Sequence, residues 1–173
     1  MEGYLLVSLL APVPIFHFWL HALLPYWRKC PWLFYVWGVV VWMCSFLFFW
    51  HIENQFTSSL LEMPVGWQNI GLILQAVAVI SIVYAIYRIG VLNFFVWGAL
   101  NPKYRNDSKK RTIHWLDAIP HLGYIGYLLF VLGAFLDTGK VYILFVLIFL
   151  CVLLPVVMYM EDHELAQRFG KTA

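Results

Sequence analysis

Three groups of residues in this chain combine reactive side chains with a spacing that puts them on one helical face. His121 and Tyr124 are three residues apart and share a face, with Gly126 beyond them and Pro120 suited to the first turn of a helix. Gly126 removes a side chain, so a ligand or another helix can approach the backbone. The same His and Tyr would also serve as headgroup-level anchors. In the second group, Glu161, Glu164 and Leu165 fall on one side of a helix, where Arg168 can pair with either carboxylate. The plainer reading of that tail is a solvated helix end. In the third group, His17 and His21 stand one helical turn apart. Such a pair in an apolar helix can ligate a haem or a chlorophyll, or hydrogen-bond a quinone. It can also donate to carbonyls freed by Pro12 and Pro14. No other apolar run has a central His to complete a bis-His haem site between helices.

These groups must be carried by apolar helices. Uncharged runs place five spans at about 3–27, 31–52, 65–87, 118–136 and 141–160, each near the roughly 20 residues a bilayer requires. A shorter uncharged run, Ile89–Pro102, is read as a cytosolic extension of the third helix, with an interfacial position as the alternative. The segment Asp137-Thr-Gly-Lys140 is a turn signal that makes spans four and five a helical hairpin. Residues 51–67 form a polar outer loop, 101–117 a cytosolic loop, and 161–173 a tail that continues the fifth helix.

Orientation follows from the basic residues. With the N-terminus outside, Arg28, Lys29, Arg88, Lys103, Arg105, Lys109, Lys110, Arg111, Arg168 and Lys171 all face the cytosol, and only Lys140 lies outside. The cluster from Lys103 to Arg111 would also attract anionic headgroups. The expected fold is therefore an all-α integral-membrane domain over residues 1–173, N-terminus out and C-terminus cytosolic.

Composition excludes the other classes. Of 173 residues, 63% are apolar and 12% charged, and a soluble domain of this size buries only roughly 70% of its unfolded surface. A soluble globule, a disordered chain and a nucleic-acid-binding module are all ruled out. Cys30, Cys44 and Cys151 show no zinc spacing and read as apolar packing residues, so no metal site is expected. The first residues lack the basic region and small-residue cleavage site of a signal peptide. Gln75 is the exceptional polar residue of span three, and Trp37, Trp42 and Trp50 read as packing and interface anchors. Small residues are few, so packing onto a partner through the aromatic faces is expected.

The last third of the chain resembles the isoprenylcysteine carboxyl methyltransferase and phospholipid methyltransferase superfamily. Pro120-His121-Leu122-Gly123-Tyr124-Ile125-Gly126 is similar to that family's Arg-His-Pro-x-Tyr-x-Gly stretch, with Pro120 and Leu122 at its Arg and Pro. Glu161-Asp162-His163-Glu164-Leu165-Ala166-Gln167-Arg168-Phe169-Gly170 is similar to its Glu-Glu-x-x-Leu-x-x-x-Phe-Gly tail. The resemblance covers about Asp117–Gly170. It implies an S-adenosylmethionine-dependent enzyme of the membrane surface, with His121, Tyr124, Gly126, Glu161 and Glu164 as cofactor-binding residues and no metal. The acceptor it implies is amphiphilic: a lipid headgroup, a prenyl-cysteine carboxylate or a small hydrophobic thiol.

Two alternatives stand beside it. One is a methyltransferase-like scaffold without chemistry, an accessory subunit of a larger membrane complex. The other is a haem, chlorophyll or quinone protein using His17 and His21. Membrane lipids, a lipophilic substrate and partner subunits are the expected partners, and a bacterial inner membrane the expected location.

Overall fold

The computed structural model describes residues 8–56, 60–101 and 121–169, without the side chains of 53–56, 165, 168 and 169. The loop 102–117 with its basic cluster, Pro120, and the last residues from Gly170 lie outside that description. The described chain is helical: α1 (Pro12–Ala22), α2 (Leu24–Trp27), α3 (Pro31–Phe56), α4 (Trp67–Ile89), α5 (Val91–Phe94), α6 (Trp97–Leu100), α7 (Leu122–Thr138) and α8 (Val141–Phe169). Among the described residues, three segments are long and apolar enough to cross a membrane: Pro31–Ile52, Trp67–Ile89 and Val141–Glu164. Large apolar side chains such as Val39, Met43, Leu47, Ile73, Ile80 and Val152 are exposed along them, a pattern that water would not tolerate and lipid would. The expected spans at 3–27 and 118–136 are present as shorter apolar helices, Ser8–Ala22 and Leu122–Thr138.

Several boundaries differ from the expectation, each for a local reason. The first run is not one helix. Pro25 has no N–H for the next helical hydrogen bond, the chain breaks at Leu23 (φ −119°, ψ 21°), and α2 is a single separate turn. α3 runs beyond residue 51, where a loop was expected, and ends at Phe56. The expected extension of the third helix is absent. α4 stops at Ile89 because Gly90 adopts φ 83° and ψ 146°, a conformation that suits glycine. Asn93 Nδ2 donates to the Ile89 carbonyl at 3.0 Å, and α5 and α6 follow as one-turn helices with Val91, Leu92 and Phe95 exposed. The turn before α8 forms as read, with Gly139 at φ 66° and its N–H bonded to the Phe135 carbonyl.

The chain forms two compact units, residues 1–61 with 140–173 and residues 62–139. In the first, α1 packs against α8 and α3. Phe16 is the hub: its ring lies 4.1 Å from Phe34 and 5.1 Å from Trp42 between centroids. Gly38 makes room for it, since a Cβ there would meet Phe16 Cε2 at 2.7 Å. The backbone loosened by Pro12 and Pro14 is served by α3: Ser45 Oγ donates to the Ser8 carbonyl at 3.2 Å and Trp42 Nε1 to the Leu9 carbonyl at 3.0 Å. The histidines were the expected donors for those carbonyls. His17 Nδ1 instead donates to the Val13 carbonyl of its own helix, at 2.9 Å.

The second unit rests on the pairing of α4 with α7. Gly71 faces Gly133, Ala78 and Ser81 face Gly126, and Ala85 faces Gly123, so the two helices run antiparallel. At the tightest point a Cβ on Gly71 would lie 2.6 Å from the Gly133 carbonyl oxygen, and the reverse distance is also 2.6 Å. Small residues that admit close backbone approach are a principal adhesive between helices in lipid. Small residues are few in this chain but concentrated on one seam, with Gly71, Ala78 and Ala85 spaced by sevens. Gln75 sits on the same seam. A Cβ on Gly133 would meet its Cγ at 2.9 Å, and its amide nitrogen is buried with no hydrogen-bond partner among the described residues.

Candidate functional site

The inward stripe of α8 begins as hydrocarbon and ends as carboxylate. Ile143, Val146, Leu150, Leu154 and Val157 are buried, and the same three-and-four spacing continues to Glu161 and Glu164. Pro155 lies inside this helix, where it removes the hydrogen bond to the Cys151 carbonyl. Residues 161–169 therefore continue the last long helix.

Glu164 meets the N-terminal segment of the same unit. Its Oε2 lies 2.9 Å from His21 Nδ1, and its Oε1 accepts from Arg28 Nη2 at 2.8 Å. The side chains of His21 and Glu164 are only 6% and 14% exposed, and that of Arg28 28%, so solvent screens the contacts only in part. Glu161, one turn earlier, lies within electrostatic reach of His17. The result is a polar clasp in which His21 and Arg28 hold Glu164, built by α1, the link after α2, and the end of α8.

The link that carries Arg28 is itself pinned. Trp27 Nε1 donates to the Trp19 carbonyl at 2.8 Å. The backbone N–H of Arg28 donates to Leu24 at 3.0 Å and that of Cys30 to Trp27 at 3.1 Å. Trp27 also stands edge-on to Phe34, 5.5 Å between centroids.

α1 presents a different face to an apolar groove of about 810 Å³ within the same unit. Ile15 and Trp19 line it from α1, Trp37 and Phe48 from α3, and Phe145 and Phe149 from α8. Trp19 and Trp37 form an edge-to-face pair there, 6.3 Å between centroids.

The remaining sequence-derived candidates belong to the second unit. His121 is the N-cap of α7 in the left-handed conformation (φ 53°), and its carbonyl accepts from the Tyr124 N–H at 2.8 Å. The two rings lie 5.8 Å apart, tilted by 31°. Gly126 faces α4, and a Cβ there would meet the Ala78 carbonyl oxygen and Ile82 Cγ1 at 3.1 Å. Its missing side chain thus admits another helix, one of the two uses its sequence position suggested. His121, Tyr124 and Gly126 lie in one unit, and Glu161 and Glu164 in the other.

Sequence reasoning missed Arg28, which it used only to orient the chain. The pairs to Glu164 span 136 and 143 residues, and no local spacing encodes them. Among the described residues, no three His, Cys, Asp or Glu side chains gather into a metal-binding set.

What the geometry defines is an all-helical chain, with three helices long and apolar enough to cross a membrane and a polar cluster at one end of its first unit. No protein-family model, curated protein or solved structure matches this chain.

Proposed function

We propose that this is an integral-membrane, S-adenosylmethionine-dependent methyltransferase acting on an amphiphilic acceptor. In this reading α1 and α7 join the three longer helices as spans, the N-terminus is outside, and the polar cluster lies at the cytosolic surface of a bacterial inner membrane. The observation that carries the reading is the state of the tail. Glu161 and Glu164 share the inward face of an ordered helix, and Glu164 is drawn into a partly buried cluster. A tail that served only as a soluble end would not place its carboxylates there.

The donor set fits the cofactor in sign, because S-adenosylmethionine is a cation with an ammonium and ribose hydroxyls to be held. A carboxylate has about four acceptor sites on two oxygens, so an oxygen of Glu164 that bonds His21 or Arg28 has the chemistry to accept a second donor. Glu161 and Glu164 would hold the ammonium or ribose. The cofactor supplies an electrophilic methyl on its sulfonium. This chain would hold donor and nucleophile in line and exclude water.

A second reading is favoured by one specific observation. Both oxygens of Glu164 have partners inside the chain, and the space at Gly126 is taken by α4. Those are the uses a non-catalytic scaffold, an accessory subunit of a membrane complex, would make of the same residues. Equilibrium binding of radiolabelled S-adenosylmethionine to protein in lipid nanodiscs separates the two. Saturable binding, competed by S-adenosylhomocysteine and weakened by Glu161→Ala, supports the enzyme. Its absence, with stoichiometric partners retained in mild detergent, supports the scaffold.

A further inference from the structure

Among the described side chains of α8, the buried apolar stripe ends at Val157, and the helix continues to Phe169. Helix ends without packed side chains fray. Here the polar contacts to Glu164 tie the helix to the N-terminal segment. They reach it from two directions, His21 from the end of α1 and Arg28 from the link beyond α2, one to each oxygen. Two donors on different elements fix both the position of a carboxylate and the plane of its oxygens, where one would leave it free to rotate.

The Arg28 side is prepared in advance. Its link is bonded through backbone and through Trp27 to α1 and α2, so the guanidinium is presented without ordering a loop. That arrangement is more than a surface ion pair requires, since exposed pairs contribute little.

We infer that Arg28 and His21 are positioning residues: they hold Glu164, and through it the carboxylate face of the tail helix, in the place from which that face takes the cofactor. This rests on the methyltransferase reading. It makes the N-terminal segment, which the family resemblance does not reach, part of the cofactor end of the molecule. The contact is a single one, Nη2 to Oε1, so a compact cation suffices in place of the guanidinium fork.

The test pairs two readouts on the full chain in nanodiscs: amide hydrogen exchange over residues 158–167, and S-adenosylmethionine affinity. Arg28→Ala should speed exchange in that segment and weaken affinity by about tenfold each, as expected for loss of a hydrogen bond to a charged group. Arg28→Lys should restore both to within about threefold of the parent. His21→Gln, which keeps a donor, should also stay near the parent, while His21→Ala should not.

Faster exchange with unchanged affinity would overturn the positioning role and leave only a structural tie. Unchanged exchange in folded Arg28→Ala would overturn the clasp itself. Should Arg28→Ala not fold, Arg28→Met removes the charge and the donor at similar length and must give the same paired loss. If the parent chain binds no cofactor, the methyltransferase reading fails and the positioning role with it. The exchange arm then still reports whether Arg28 and His21 hold the tail.

Discussion

The two units of this chain solve one problem in opposite ways. Lipid tails are as apolar as leucine, so helices in a bilayer gain little by hiding hydrocarbon from it and must adhere by close packing or by polar contacts. The second unit uses packing: Gly71 and Gly133 bring two backbones to within van der Waals limits, and few polar groups are involved. The first unit uses bulk and charge. Phe16 fills a socket against Phe34, Trp42 and Gly38, and at the end of the bundle Glu164 is gripped by His21 and Arg28. A small-residue seam tolerates no added atom. An aromatic socket with a polar clasp tolerates some adjustment and places reactive groups at its rim. The clasp on Glu164 lies where the packing is more forgiving.

The comparison can be broken most severely at the glycine seam. Gly133→Val drives a branched side chain into the Gly71 carbonyl and the Gln75 backbone. Overpacking typically costs about 1–3 kcal/mol, and a clash with backbone belongs at or above the top of that range. Equilibrium unfolding in a mixed-detergent titration should show the loss. Next is Glu164→Leu, which leaves Arg28 and His21 without their shared acceptor. Since the three side chains are only partly exposed, about 1–3 kcal/mol should be lost on the same titration, and unfolding should begin in α8.

A smaller effect is expected at Gly38→Ala. The new Cβ would meet the edge of the Phe16 ring, a side chain that can shift, so about 1 kcal/mol or less is expected. The smallest change has the opposite sign. Gln75→Met removes a buried amide nitrogen without a described partner and keeps the volume. Up to about 1 kcal/mol of stabilisation should follow. A loss instead would mean that the amide has work to do in the membrane.

Much of this fold was legible because bilayer-length apolar runs are a long-range signal that single residues rarely obscure. The second span was placed at 31–52 and the structure has an apolar span at Pro31–Ile52. The continuation of the last helix into the tail was equally readable, since Glu161 and Glu164 extend the spacing of the stripe before them. What escaped were local breaks and distant pairings. Pro25 ends α1 and Gly90 ends α4, although each stands in an apolar run that averages over it. The small-residue seam was overlooked because abundance was weighed rather than spacing: Gly71, Ala78 and Ala85 form a heptad line. Arg28 could not be found at all from spacing. It joins a residue 136 positions away, and a lone arginine beside Lys29 reads as a marker of membrane orientation.

The account turns on whether the end of the first unit takes a cofactor. The most direct measurement is a calorimetric titration of S-adenosylmethionine into the purified full chain in nanodiscs, with Glu161→Ala titrated in parallel. Micromolar binding by the parent, weakened by about tenfold or more in the variant, is the expected result. No heat of binding up to millimolar cofactor, or equal binding by both proteins, would contradict it.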